Sequence, residues 1–227
     1  VHVKSDQAEF RDYFRKWFVG ILPALLDDTV VNHEILVLIG EQGLYKTTWF
    51  NFLLPPELRC YFYTKTNSDR LNKDDLFSLT EFALICFEEL DGMRPAELNQ
   101  LKAMVTMPYV NERAAYGRNK ERHPHIASFC GTGNNVQFLT DPTGNRRWLP
   151  FEVSQIRDPH LHAIPYELVY SQAYALWKSG FCHWFSQEEI RKLNMHNSRF
   201  EVPNLEEDLI RTHFRKPFEG EAGIFVT

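Results

Sequence analysis

The pattern with the clearest chemistry is a glycine-containing loop that carries a lysine and two threonines. It runs from Gly40 to Thr48 with the sequence GEQGLYKTT, between a short apolar run and a segment typical of a helix. In such a loop the backbone N–H groups donate to phosphate oxygens, a lysine reaches the terminal phosphates and a threonine hydroxyl ligates Mg²⁺. The sequence therefore predicts phosphate binding by Gly40, Gly43, Lys46, Thr47 and Thr48.

One position departs from the usual phosphate-loop pattern. Tyr45 stands directly before Lys46, where the pattern has its second glycine. If that position needs a positive φ, a tyrosine there costs about 1–2 kcal/mol. The competing interpretation is a strand-to-helix turn that carries an incidental Lys-Thr pair.

Two carboxylates follow the apolar run Ala83–Phe87. They are Glu88 and Glu89, at the expected carboxyl end of a buried strand, where parallel sheets have their binding sites. Nucleotide hydrolysis needs one acid to hold Mg²⁺ and another to orient or deprotonate water. The pair can supply both, with Thr47 and Glu88 as the metal ligands, although a strand that ends in a solvated acidic turn is a common alternative.

A polar residue ends the next apolar run, Ile126–Cys130. Asn134 lies in the following Gly-Thr-Gly-Asn segment. Its side-chain amide could hold an attacking water or sense a terminal phosphate. The alternative is an ordinary Gly-Asn turn that closes a strand.

Two adjacent arginines form a third candidate group. Arg146 and Arg147 follow the turn-like segment at 141–145. Arginine offers a planar, permanently charged fork suited to phosphate, and an arginine finger contributes about 10³–10⁵ in rate. The alternative is a pair of solvated surface arginines.

A basic segment between the acids and Asn134 has the composition of a nucleic-acid contact. Positive charge follows a phosphate backbone, while aromatic faces stack on bases without reading sequence. Tyr109 and Tyr116 are interleaved here with four candidate nucleic-acid contacts: Arg113, Arg118, Lys120 and Arg122. An ordinary solvated loop or hairpin is the competing interpretation.

Positioning these groups requires strands that alternate with helices. Short apolar runs predict five buried strands, at 34–39, 60–63, 82–87, 125–130 and 147–153. Helical periodicity predicts helices at 6–26, 47–54, 72–80, 95–106, 166–179, 187–194 and 205–214. This alternation indicates an α/β fold with a mostly parallel five-stranded sheet flanked by helices, plus a small helical C-terminal part.

Composition excludes several classes of protein. The 227 residues are 44% hydrophobic and 24% charged with a net charge of −5, which excludes a disordered chain or a uniformly basic surface. Four widely spaced cysteines indicate reduced thiols and a cytoplasmic setting, and no apolar stretch predicts a membrane span. The chain begins at Val1, so we expect a fragment of a longer protein, with a core at 1–157 and a helical extension at 158–227.

The order of the motifs resembles the virulence-associated E family, a phage and mobile-element group similar to superfamily 3 helicases within the AAA+ ATPases. The matching blocks are the phosphate loop, Glu88-Glu89, the segment around Asn134 and the 141–148 block DPTGNRRW. Together they extend over roughly Asp6 to Glu189. Tyr45 departs from the family pattern, as does Gly133, where threonine or serine is usual.

The resemblance implies a P-loop ATPase core that forms a homo-oligomeric ring. It also implies a helicase that moves or remodels DNA during replication of a phage or mobile element, and we expect that DNA to be single-stranded. It implies ATP and Mg²⁺ as cofactors, with Glu88 and Glu89 as the acids and Asn134 as the polar sensor. Arg146 or Arg147 is then the finger offered to a neighbouring subunit. The basic segment corresponds to a hairpin that lines the central channel.

Two other functions stay open. A nucleotide-binding interaction or scaffold module with little or no turnover is supported by Tyr45. A small-molecule kinase that uses the same phosphate loop is the other function. The glutamate pair and the two arginines near position 146 favour a motor over it.

Overall fold

The computed structural model describes residues 1–66, 73–112, 121–140, 145–203, 209 and 212–214. Its helices are α1 (Gln7–Leu26), α2 (Lys46–Asn51), α3 (Lys73–Glu81), α4 (Pro95–Val105), α5 (Tyr166–Lys178) and α6 (Gln187–Asn197). Its strands are β1 (His2–Val3), β2 (Ile35–Ile39), β3 (Phe62–Lys65), β4 (Leu84–Phe87), β5 (Tyr109–Glu112), β6 (Glu121–Pro124), β7 (Ser128–Gly133) and β8 (Trp148–Gln155).

The main sheet has the order β1-β8-β2-β7-β4-β3. The five strands from β8 to β3 are parallel, and β1 pairs antiparallel with β8 at the edge. The prediction of a mixed α/β fold with a mostly parallel sheet is therefore confirmed, but the predicted count of five strands is wrong. The sixth strand, His2–Val3, has only two residues, so it leaves no alternating or apolar pattern in the sequence.

The central strand β2 is apolar throughout because both of its faces are covered. All five of its side chains are buried, as expected for a strand inside a parallel sheet. Alternate side chains point to opposite faces. Leu36 and Leu38 join the cluster that contains Trp17, whereas Ile35, Val37 and Ile39 join the cluster that contains Trp148.

Helix α1 covers the first of these faces. Asp6 caps it by accepting a hydrogen bond from the Ala8 N–H at 2.7 Å. Trp17 is fully buried and donates from Nε1 to the Phe129 carbonyl at 2.9 Å, which fixes the helix to β7. This combination of apolar burial and a satisfied indole N–H holds the sheet against its covering helix.

Helices α5 and α6 lie where the C-terminal helical part was predicted. Ala173, Phe185 and Leu193 join the same buried cluster as Trp17, so this part packs on the sheet. The predicted helix at 205–214 falls mostly outside the described residues, and the division at 157/158 stays a prediction. Among the described residues, no helix is both long and apolar enough to cross a membrane.

Candidate nucleotide-binding site

A cleft of about 420 Å³ lies at the edge of the sheet where the parallel strands end. The loop after β2, the acids after β4 and the end of β7 all border it. Because β7 lies between β2 and β4 in the sheet, residues from the three strands meet there. The lining residues are Gln42, Gly43, Leu44, Tyr45, Lys46, Thr47, Thr48, Thr66, Glu88, Glu89, Thr132, Gly133 and Asn134.

Lys46 is held at the floor of this cleft. Its ammonium donates to the carbonyls of Gly40 at 2.5 Å and Glu41 at 2.8 Å, and to Asn134 Oδ1 at 3.4 Å. Burial lowers the pKa of the lysine, and the charge of Asp91 partly opposes that shift. A phosphate group beside Lys46 would stabilise the charged form, because opposite charges at short range favour ionisation.

Thr47 and Glu88 are in direct contact. The Thr47 hydroxyl donates to Glu88 Oε1 at 2.7 Å, although the two residues are 41 positions apart. A hydroxyl and a carboxylate are the oxygen ligands that Mg²⁺ takes beside nucleotide phosphates, where one or two protein ligands suffice. No cluster of three or more His, Cys, Asp or Glu able to hold a metal occurs among the described residues. The donor set therefore fits Mg²⁺ bound together with phosphate.

Glu89 has an unusual backbone conformation. Its φ of 55° and ψ of 44° lie in the left-handed region, just after β4 and before the short 3-10 turn Leu90–Gly92. Strained backbone of this kind costs about 1–3 kcal/mol and occurs preferentially at functional sites. Its side chain lines the cleft beside Glu88.

Asp91 holds the segment that carries Asn134. Its carboxylate accepts from the backbone N–H groups of Asn134 and Asn135, each at 3.1 Å, and from Asn135 Nδ2 at 2.7 Å. A Cβ on Gly133 would lie 3.0 Å from Asp91 Oδ1. A larger residue at position 133 would therefore require the Asp91 carboxylate to shift by a few tenths of an ångström.

Of the other predicted loop residues, Gly43 and Thr48 line the cleft, whereas Gly40 is not among the residues that border it. The Gly40 N–H donates to the Gly133 carbonyl at 3.1 Å, which ties the loop to the end of β7. Gly43 has a φ of 83° and no atom within 4 Å of its Cβ position, so its glycine serves backbone conformation rather than space.

Tyr45 has a positive φ, the strained conformation that could not be established from the sequence alone. Its φ is 59° and its ψ is 22°, at the residue that precedes α2. A residue with a Cβ pays about 1–2 kcal/mol in this region. Tyr45 is 42% exposed.

A Tyr45→Gly variant is expected to raise the free energy of unfolding by about 0.5–1 kcal/mol. Glycine removes the left-handed strain, which stabilises the folded state. It also raises the backbone entropy of the unfolded chain, which destabilises the folded state by about 0.4–1 kcal/mol. Urea unfolding followed by circular dichroism measures the change.

The matched control is Tyr61→Gly. Tyr61 has similar exposure, 48%, but a negative φ, so glycine there should lower stability by about 0.5–1 kcal/mol. An equal loss in both variants would contradict the strain assigned to Tyr45.

The two arginines lie at the opposite edge of the sheet, where the parallel strands begin, and the cleft lies where they end. They belong to the short turn Asn145–Arg147, directly before β8 begins. Because β8 runs parallel to β2, with Trp148 paired to Ile35 and Glu152 to Ile39, the arginines lie beside His33 and Glu34. The five residues of β2 separate this edge from Gly40 by roughly 17 Å. The chain therefore does not bring Arg146 and Arg147 to the same cleft as Lys46.

The arginine edge has its own small cavity of about 180 Å³, bordered by His33, Glu34, Thr106, Arg146, Arg147, Trp184, Phe185 and Ile190. Arg146 is exposed, whereas Arg147 is half-buried and its Nε lacks a hydrogen-bond partner within the described residues. Burial and the two arginines lower the pKa of His33, and burial raises the pKa of the Glu34 carboxyl to about 7. Positive charge thus dominates this edge.

The basic segment is described only at its ends. Strands β5 and β6 pair antiparallel, so a hairpin is present, and Asn111 lies opposite Arg122. The Arg122 guanidinium lies over the Tyr109 ring, 3.4 Å from its centre. Arg113, Arg118 and Lys120 lie outside the described residues.

Sequence reasoning assigned no role to three residues that line the cleft or hold a segment of it. It assigned no role to Asp91, although this acid fixes the Asn134 segment. It assigned none to Thr66 or Thr132 either, although both line the cleft and Thr132 belongs to the Gly-Thr-Gly-Asn segment that carries Asn134. Each lies at or just after the end of a parallel strand, and that position was the available signal.

Comparisons with solved structures found distant matches. The apo C-terminal region of NrS-1 has 13% identity and a TM-score of 0.47, and the match covers 94% of this chain and 53% of that one. A point mutant of RuvB from Thermotoga maritima has 14% identity and a TM-score of 0.39, with 63% and 45% covered. The chain thus spans about half the length of the NrS-1 chain that it matches.

A search of curated proteins gave no match. The family comparison was decisive, because the sequence model described as the virulence-associated protein E-like domain matches residues 3–202. That range contains the loop, the acids, Asn134 and both arginines, so the chain belongs to the virulence-associated protein E-like domain family.

Proposed function

We propose that this domain binds ATP with Mg²⁺ in the cleft, hydrolyses it, and uses the reaction to move or remodel DNA during replication of a phage or mobile element. The strongest support is the set of direct contacts among groups from three adjacent strand ends. Thr47 bonds to Glu88, and Lys46 bonds to Asn134. The first pair is separated by 41 positions in the sequence and the second by 88. Contacts over such separations are hard to explain as incidental features of separate turns.

The proposed division of labour follows from side-chain chemistry. Lys46 and the loop N–H groups bind the phosphates, while Thr47 and Glu88 hold Mg²⁺, which neutralises charge on the terminal phosphates when bound. Glu89 accepts a proton from the attacking water, and Asn134 orients that water. Asp91 is a positioning residue, since it contacts the Asn134 segment rather than the cleft itself.

The location of the arginines supports a site shared between two copies of the chain. Arg146 and Arg147 lie about 17 Å from the loop of their own chain, so neither reaches a phosphate bound there. A second copy that docks its arginine edge on the cleft would supply the missing charge. We therefore propose a homo-oligomer, and a ring is the closed form of such head-to-tail contacts.

The DNA contact is the finer part of the proposal. Arg122 and Tyr109 already form a stacked cation–aromatic pair on the β5–β6 hairpin. Positive charge and aromatic rings are the groups that bind single strands, through the backbone phosphates and through base stacking. We propose that Arg122, together with Arg113, Arg118 and Lys120, contacts single-stranded DNA.

A nucleotide-binding module with little turnover is the second candidate. The left-handed Tyr45 favours it, because a phosphate loop usually has glycine at this position. Binding of ATP without release of phosphate, at every protein concentration and with or without single-stranded DNA, would support this candidate.

The experiment that tests the motor is complementation between two inactive variants. Lys46→Ala removes a phosphate contact, and the double variant Arg146→Ala/Arg147→Ala removes the finger. When the two variants associate, the arginine variant contributes an intact cleft and the lysine variant contributes intact arginines. Together they form one complete site. Mixing should therefore restore part of the ATP turnover.

Protein concentration provides the control for this mixing experiment. Restored turnover should rise with concentration, because it depends on association of two chains. Wild-type activity that does not change with concentration, together with no recovery on mixing, would contradict a shared site.

A further inference from the structure

Tyr45 has a strained backbone conformation, and within the described residues its side chain makes no contact that compensates for it. It is one of two residues other than glycine with a positive φ among the described residues. Its side chain does not cap α2, and no hydrogen bond or ring contact of that side chain occurs in the part of the chain that the structure describes. The Tyr45 carbonyl accepts the Trp49 N–H at 2.7 Å, but the side chain has no partner in that described part. Strained backbone is concentrated at functional sites, so we look for the partner of this side chain in a bound ligand.

The position of Tyr45 limits which ligand group it can meet. Tyr45 lines the cleft and is 42% exposed, and its hydroxyl has no hydrogen-bond partner among the described residues. It directly precedes Lys46, the residue at the phosphate end of the cleft. The other residues that border this end are small or polar, among them Gly43, Thr47 and Asn134.

We propose that the Tyr45 hydroxyl donates a hydrogen bond to the terminal phosphate of the bound nucleotide, so that the residue discriminates triphosphate from diphosphate. The inference rests on the proposed nucleotide site. A phenol O–H can donate to a phosphate oxygen, and a hydrogen bond to a charged group is stronger than one between neutral groups. Glycine at this position would relieve the strain but provide no donor.

The test is a Tyr45→Phe variant, which keeps the ring and removes only the hydroxyl. Affinities for ADP and for a non-hydrolysable ATP analogue, both with Mg²⁺, are measured by titration calorimetry. The variant should bind the triphosphate analogue about tenfold more weakly than the wild type. Its affinity for ADP should stay within about twofold, because the diphosphate lacks the group that the hydroxyl contacts.

Tyr61→Phe is the matched control, since this tyrosine is similarly exposed but does not line the cleft. Equal weakening of both nucleotides by Tyr45→Phe, or no weakening of either, would overturn the assignment. Reduced self-association with unchanged nucleotide affinities would overturn it too, because Tyr45 would then contact a neighbouring chain. If wild-type protein binds neither nucleotide, the proposed site itself fails, which is a distinct result.

Discussion

Replacing Lys46 with alanine is expected to weaken ATP binding by at least about 100-fold and to abolish turnover. The ammonium lies at the floor of the cleft and contacts Gly40, Glu41 and Asn134. In the proposed complex the alanine variant loses a charged hydrogen bond to the phosphates, worth about 1.5–3 kcal/mol, and a partly buried positive charge beside them. Titration with a non-hydrolysable ATP analogue measures the binding, and phosphate release measures the turnover.

Two further variants separate this effect from damage to the fold. Lys46→Met keeps the long apolar stem and should lose binding to the same degree while it unfolds at nearly the wild-type temperature. Lys192→Ala removes an exposed lysine of α6 that pairs with Glu188, a contact worth about 0.5 kcal/mol or less. Wild-type affinity in the folded Lys46 variants would contradict the proposed phosphate contact.

Glu89→Gln is expected to separate hydrolysis from binding. The amide has the shape of the carboxylate but cannot accept the proton of the attacking water, and such proton transfer contributes about 10²–10⁴ in rate. Turnover should therefore fall by at least about 100-fold, while affinity for the ATP analogue stays within about threefold. Single-turnover phosphate release with saturating protein measures the chemical step directly.

Glu57→Gln provides the control for this substitution, because Glu57 is an exposed carboxylate of the 3-10 segment Pro56–Tyr61, away from the cleft. It should leave turnover unchanged. Wild-type turnover in Glu89→Gln would remove this residue from the mechanism. A comparable loss of affinity and turnover would instead assign Glu89 to ligand binding.

The sequence was sufficient to predict the carboxyl-edge cleft, because its residues follow apolar strands. Lys46 follows β2, Glu88 follows β4 and Asn134 follows β7, and parallel strands deliver such residues to one edge. The edge position of the arginines could also have been derived. Arg146 directly precedes the predicted strand at 147–153 and Arg147 begins it, so in a parallel sheet both must lie at the edge opposite to the loop.

Other features depend on tertiary contacts that leave no local pattern. The Asp91 carboxylate reaches backbone groups of Asn134 and Asn135, 43 and 44 positions away, and only the folded turn shows this. The antiparallel strand His2–Val3 is too short for periodicity to detect. For Tyr45 the sequence identified the departure from the glycine pattern, whereas its left-handed φ had to be observed.

The most direct test of the account is calorimetric titration of the wild-type domain with a non-hydrolysable ATP analogue, with Mg²⁺ and again with a chelator. The account predicts saturable binding of one nucleotide per chain that weakens by at least about tenfold when the ion is removed, because Thr47 and Glu88 hold the metal together with the phosphates. Absence of binding at millimolar nucleotide, or binding of equal strength with and without Mg²⁺, would contradict it.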